Sequence, residues 1–131
     1  MIEPRIIDLK EAAKENDFFR KVVFTAAKSQ LVVMSLLAGE EIGVEIHDGD
    51  QLLYAVQGEG AAVINGAKEP FKKGAIFCVP AGAQHNVINT GERPLKLFTV
   101  YAPPQHAPGT AHETKAEAEA AETRASEPLP A

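Results

Sequence analysis

Residues 74–89 read Gly74-Ala-Ile-Phe-Cys-Val-Pro80-Ala-Gly82-Ala-Gln-His85-Asn-Val-Ile-Asn89. Two short runs rich in β-branched and aromatic residues flank a Pro-Ala-Gly turn. Pro80 fixes one backbone angle and Gly82 frees another, which is what a sharp reversal requires. The stretch is therefore strand, turn, strand, over 75–79 and 85–89, with His85 opening the second strand.

Working outward, the same grammar recurs. Short apolar runs at 20–26, 29–37, 43–47, 51–57, 60–64 and 95–102 complete a set of eight predicted strands. Explicit turn residues separate them: Gly39, Asp48-Gly49, Gly58-Glu59-Gly60, Lys73-Gly74 and Thr90-Gly91. Asn65-Gly66 is a strong two-residue hairpin signal. No ten-residue helical period lies between any two strands, so parallel βαβ units are excluded. An all-β antiparallel sandwich or barrel follows. Residues 8–16 read as a short helix, opened by the Asp8/Glu11 capping box and stopped at Asn16-Asp17. The expected division is a lead-in over 1–19, a barrel over 20–104 and an extension over 105–131.

Leu52, Leu53, Tyr54, Ala55 and Val56 would make a strand apolar on both faces. A barrel needs only its inner face dry, so the outer one must be covered, and a homodimer is expected. After Pro103-Pro104 the chain turns polar. Thr114 and Glu117 form a second capping box before an alanine- and glutamate-rich run. That run has almost no apolar stripe, which predicts a frayed helix over 114–125 with a disordered end.

The chain carries 13 Lys+Arg against 18 Asp+Glu, and five of the acids lie at Glu113, Glu117, Glu119, Glu122 and Glu127. No basic stripe exists to neutralise a phosphate backbone, which argues against nucleic acid. The lone Cys78, expected to be buried, fits a reducing compartment. No cationic start leads into an apolar core, and no apolar run could span a bilayer, so a cytoplasmic protein without membrane contact is expected.

Glu45 and His47 are two apart on a predicted strand and so share a face. A carboxylate and an imidazole on an otherwise apolar wall are costly unless paired or ligated. With His85 on another strand, the trio suggests a metal site.

Here the sequence resembles the cupin superfamily. Its second motif, G-x5-P-x-G-x2-H-x3-N, is matched by Gly74, Pro80, Gly82, His85 and Asn89. Its first, G-x5-H-x-H-x3,4-E-x6-G, is matched at Gly39, His47 and Gly58, with Glu45 where the first His stands and Gln51 where Glu stands. The resemblance implies a cupin double-stranded β-helix, or jelly-roll barrel. It also implies one divalent metal ion (zinc, manganese, iron or nickel) on Glu45, His47, Gln51 and His85. Both departures keep an oxygen donor. The set is similar to the zinc ligands of mannose-6-phosphate isomerases with Glu and Gln exchanged, and the chain resembles small cupins grouped with those enzymes.

The residues leave one choice open. If Asp48-Gly49 is a two-residue turn, Asp50 faces inward. If the loop is Asp48-Gly49-Asp50, Gln51 does. The family spacing favours Gln51, and Asp50 is the alternative ligand. Gln30, Met34, Tyr54 and Tyr101 are further candidates for the pocket lining, although packing is the simpler role for each. His106 and His112 sit in a Pro/Gly-rich segment that reads as solvated loop. The functional alternative is a flap over the barrel mouth, with His106 as a general acid or base.

Three functions follow as expectations. The first is a metal-dependent enzyme on a small polar molecule, either a sugar or sugar-phosphate isomerase or a non-haem-iron dioxygenase. The second is a non-catalytic binding module, and the third is a structural protein with an empty barrel.

Overall fold

The computed structural model describes residues 2–126. In order it forms α1 (Leu9–Glu15), β1 (Arg20–Thr25), β2 (Gln30–Leu36), β3 (Asp50–Gln57), β4 (Glu59–Ile64), β5 (Ala67–Lys72), β6 (Ile76–Val79), β7 (His85–Asn89), β8 (Leu95–Ala102), β9 (Ala111–His112) and α2 (Lys115–Ser126). The strands make two sheets, ordered β6-β3-β8-β2-β1-β9 and β5-β4-β7, with antiparallel pairing throughout.

Strand alternation builds the core. β2 turns Val32, Met34 and Leu36 inward, β3 turns Leu53 and Ala55, and β8 turns Leu95, Leu97 and Tyr101. The small sheet answers with Ala62, Phe71 and Val87. Each large aliphatic side chain so buried stabilises the barrel by about 1.5–3 kcal/mol.

The opposite parity of the large sheet is partly covered by α1. Asp8 caps that helix by accepting from Glu11 N at 3.3 Å. Ala13 then packs with Val33 and Val56, flanked by Leu9, Tyr54 and Phe98. Lys96, also on the outer face, is buried because its ammonium donates to Asn16 O and meets Asp17 at 2.9 Å.

Four details depart from the expectations. Residues 43–47 form no regular strand. Residues 41–45 run beside β7 with two isolated bridges, Glu41↔Ile88 and Glu45↔His85. Gly43, at φ 107, interrupts the ladder, and Asn86 Oδ1 takes up its N–H at 2.8 Å. The hairpin at Asn65-Gly66 is present, both residues having positive φ, but it leads into the unanticipated strand β5. β5 is an edge strand, where Pro70 is tolerated and only Phe71 is buried. Cys78 is exposed, because Val79 takes the inward parity of β6. Finally, the extension rejoins the barrel. β9 pairs with β1, and α2 is docked by Ala118, which is 2 % exposed. The disordered end expected beyond α2 falls on residues 127–131, outside the described residues.

Candidate metal centre

Three local devices bring the polar side chains together. The bridge between Glu45 and His85 is reciprocal, with N–H to O distances of 2.9 and 3.0 Å, and paired residues share a side. The Pro80–Gly82 turn is tied to the preceding motif, since Gly82 N donates to His47 O at 2.9 Å. Gln51 pairs with Tyr101 and Val79 and so faces the barrel interior, where it is 3 % exposed.

Glu45, His47 and His85 each present a ligand atom, and these atoms lie within 4.8 Å of one another. His47 Nε2 is 2.5 Å from Glu45 Oε2, yet it makes no hydrogen bond of proper geometry. His85 Nε2 is 2.8 Å from Gln51 Oε1, and its Nδ1 is 3.0 Å from Ala83 O. Gln51 Nε2 donates to Thr99 Oγ1 at 3.0 Å, which aims the amide oxygen at His85. The rings of His47 and His85 are 5.3 Å apart, and Tyr101 meets His47 edge-on at 5.7 Å.

Asp50, the alternative ligand, is turned away. It is exposed, pairs with Ala102, and its Oδ1 accepts from Ala81 N at 2.9 Å. The loop between His47 and Gln51 thus uses three residues. Of the other candidates, Tyr54 does not line the pocket but stacks on Phe98 beneath α1, with ring centroids 5.2 Å apart. Met34 fills the core. Gln30 is buried and clamps the loop that follows β8. Its Nε2 donates to His106 O at 2.7 Å, and its Oε1 accepts from Gln105 N and His106 N. His106 is held beside Tyr101, at 5.2 Å between ring centroids.

A cavity of about 580 Å³ opens onto the cluster, lined among others by Arg20, Glu45, His47, His106, His112 and Glu122. Sequence reasoning passed over Arg20, Thr99 and Glu122. Arg20 pairs with Met34 and so shares its inward parity, which only the strand register reveals. Glu122 reaches the site only through the docking of α2, which no local pattern foretells.

The electrostatics follow from burial and neighbours. Burial alone would lift the Glu45 carboxyl. The contact with His47 and the charge of Arg20 outweigh it, and Glu45 is held below the usual carboxylate range. Burial pushes His106 down to about 4, and Arg20 adds to the shift, so its imidazole is neutral near pH 7. Burial likewise raises the Tyr101 hydroxyl, which stays protonated.

A two-sheet β-barrel with a Glu/His/His cluster on its inner wall is the architecture of a cupin. Residues 32–101 match the cupin domain family, and the chain belongs to it. It is 45 % identical over 127 residues to the uncharacterized protein YrkC of Bacillus subtilis (strain 168), covering 92 % of this chain and 68 % of that one. The crystal structure of BH2720 from Bacillus halodurans is similar at a TM-score of 0.88 and 42 % identity, over 90 % of this chain and 95 % of that one. The crystal structure of TT1209 from Thermus thermophilus follows at a TM-score of 0.67 and 31 % identity, over 75 % and 96 %.

Proposed function

We propose that this cupin binds one divalent metal ion on Glu45, His47, Gln51 and His85 and uses it to hold and transform a small polar molecule entering through the adjoining cavity. One observation carries the reading. Ligand atoms of Glu45, His47 and His85 lie within 4.8 Å of one another, and Gln51 Oε1 is 2.8 Å from His85 Nε2. The other ring nitrogen of His85 is 3.0 Å from Ala83 O, so a proton held there would leave Nε2 free to ligate. Donor atoms gathered this closely fit a cation. The carbonyl behind His85 is the kind of partner that orients a metal-ligating imidazole. A donor set of two imidazoles, a carboxylate and an amide, with no thiolate, suits zinc, manganese, iron or nickel.

A metal so bound would act as a Lewis acid on a carbonyl or hydroxyl oxygen, or lower the pKa of a bound water. The chain supplies the rest. Thr99 orients Gln51, Arg20 favours the ionised form of Glu45, and Tyr101 walls the site. Neutral His106 lines the cavity and, with its pKa held down to about 4, would serve a molecule there as a hydrogen-bond partner rather than as a strong base. We favour isomerisation of a sugar or sugar phosphate, on the similarity of the donor set. Non-haem-iron dioxygenation is the second reading, favoured by the two-His, one-carboxylate cluster. Binding without turnover is the third. The homodimer and the cytoplasmic setting belong to the same proposal. The homodimer is supported by outward Leu52 and Ile76, 41 % and 55 % exposed. As to the setting, no helix among the described residues is long and apolar enough to cross a membrane.

The test is elemental analysis of protein purified without a metal-affinity tag, followed by thermal melts with and without a chelator. We expect about one equivalent of metal per chain, lost in His85→Ala. Metal at roughly a hundred times its Kd should add about 2.7 kcal/mol of stability, which chelation removes. No metal, together with melts that ignore both chelator and added cations, would refute the reading.

A further inference from the structure

The Arg20 side chain is 2 % exposed, yet its guanidinium has little to hold. Nε has no hydrogen-bond partner. Nη1 reaches Glu122 Oε1 at 3.4 Å, and Nη2 lies 3.7 Å from Glu45 Oε1. The group sits over the Phe19 ring at 5.3 Å. A guanidinium offers five N–H donors in a planar fork matched to two carboxylate oxygens. One long hydrogen bond and one looser ion pair leave much of the fork unused, and a buried Nε–H without a partner is costly. Arg20 lines the cavity shared with His47 and His106. Its one hydrogen-bonding carboxylate comes from Glu122, which is 60 % exposed and touches it with a single oxygen.

We infer that Arg20 is an anion-recognition subsite beside the metal centre, that the natural ligand carries a carboxylate, and that Glu122 is a tethered stand-in which this ligand displaces. The metal reading is needed only for the ligand's other end. A cation on Glu45 weakens that residue's hold on Arg20, so the guanidinium is then left to Glu122 or to the ligand. Within the isomerase reading this narrows the substrate to a sugar acid, since a neutral molecule gives no reason to bury an arginine here. Among the described residues no lysine lines the cavity to help hold a phosphate. The group already resting on the fork is itself a planar carboxylate. α2 thereby becomes a lid whose grip competes with the ligand.

The subsite and the metal can be tested apart. In metal-free protein, the Arg20 Nε–H resonance is followed by NMR as acetate is added. It should move in the wild type and saturate at lower acetate in Glu122→Gln. In Co²⁺-loaded protein, calorimetry with succinate, succinamide and inorganic phosphate reads specificity. Succinate should bind best, about fivefold more tightly in Glu122→Gln and at least about tenfold more weakly in Arg20→Gln. Glu122 is exposed, so its result stands even if Arg20→Gln disturbs folding. Unchanged or weaker succinate binding in Glu122→Gln overturns the inference, as does tighter binding of phosphate or of succinamide. If Co²⁺ fails to bind while Arg20 Nε–H still responds to acetate, the metal reading falls and the subsite stands. If Co²⁺ binds and a folded Arg20→Gln keeps its succinate affinity, the subsite falls and the metal reading stands.

Discussion

His106 is ordered by its backbone and titrates through its side chain. Gln30 grips its N–H and its carbonyl, leaving the imidazole beside Tyr101 in the cavity. Burial and Arg20 bring its pKa to about 4, with Glu45 opposing and His47 and His112 assisting. An unfolded histidine titrates near ~6.5. The folded chain therefore favours the neutral ring. That stability is complete above about pH 6.5, lost as pH falls, and gone near the folded pKa of about 4. One such proton changes stability by at most about 1.4 kcal/mol per pH unit, less for a partly exposed ring. We predict that His106→Asn, which keeps the backbone bonds to Gln30, flattens the decline in urea-melt stability between pH 7 and pH 4.5. An unchanged slope would assign the acid sensitivity elsewhere. At this scale much of the site was legible. Glu45, His47 and His85 declare themselves because ionisable side chains interrupt apolar runs. The residues alone left Gln51 and Asp50 open, since the choice turns on one residue of loop length; the family spacing favoured Gln51, and the strand register turns it inward. Arg20 was hidden because a single arginine in a strand looks like an exposed one until its partner, Met34, is known.

Asn89 shows what the second motif does at the scale of elements. Its side chain donates to Leu36 O and Arg93 O and accepts from Gly91 N, tying the end of β2 to the 90–94 turn. The last residue of the motif thus fastens the barrel and takes no part in the cluster. Gly60 has an equally local task. A Cβ there would lie 2.4 Å from Ile88 O and 3.0 Å from Leu95, so β4 and β7 approach as closely as they do only because the side chain is absent. Gly60→Ala must push that pair apart, and we predict a loss of about 1–3 kcal/mol in denaturant melts. A variant as stable as the wild type would mean that the sheet has slack there. The strands that were legible are those with a clean apolar parity, such as β2, β3 and β8. β5 escaped because an edge strand needs only one buried side chain and tolerates Lys, Glu and Pro. The segment at 43–47 looked like a strand by composition, but Gly43 breaks its ladder and leaves two isolated bridges, one of which positions Glu45 against His85.

The whole molecule poses a question of covering. α1 shields Val33, Val56 and Tyr54, but Leu52 and Ile76 of the same sheet stay exposed beside Cys78. If a second copy supplies the missing cover, Leu52→Asp should convert a dimer to a monomer in light scattering while leaving the barrel folded. A wild-type monomer at high concentration would contradict this. The sequence signalled the need for cover, because β3 is apolar on both faces, but it did not apportion that cover between α1 and a partner. The far end of the barrel is better accounted for. There β9 and α2 line the cavity, and the polar extension, docked by Ala118, becomes part of the site wall through His112, Ala121 and Glu122.

All of this turns on whether the convergent donors of β3, β7 and the 41–47 segment hold an ion. The most direct measurement is anomalous diffraction from crystals grown with Co²⁺ or Zn²⁺, collected on both sides of the metal's absorption edge. The account predicts a single strong peak per chain, about 2.0–2.3 Å from Glu45, His47, Gln51 and His85 donor atoms. A peak elsewhere, or none in crystals soaked at saturating metal, would contradict it.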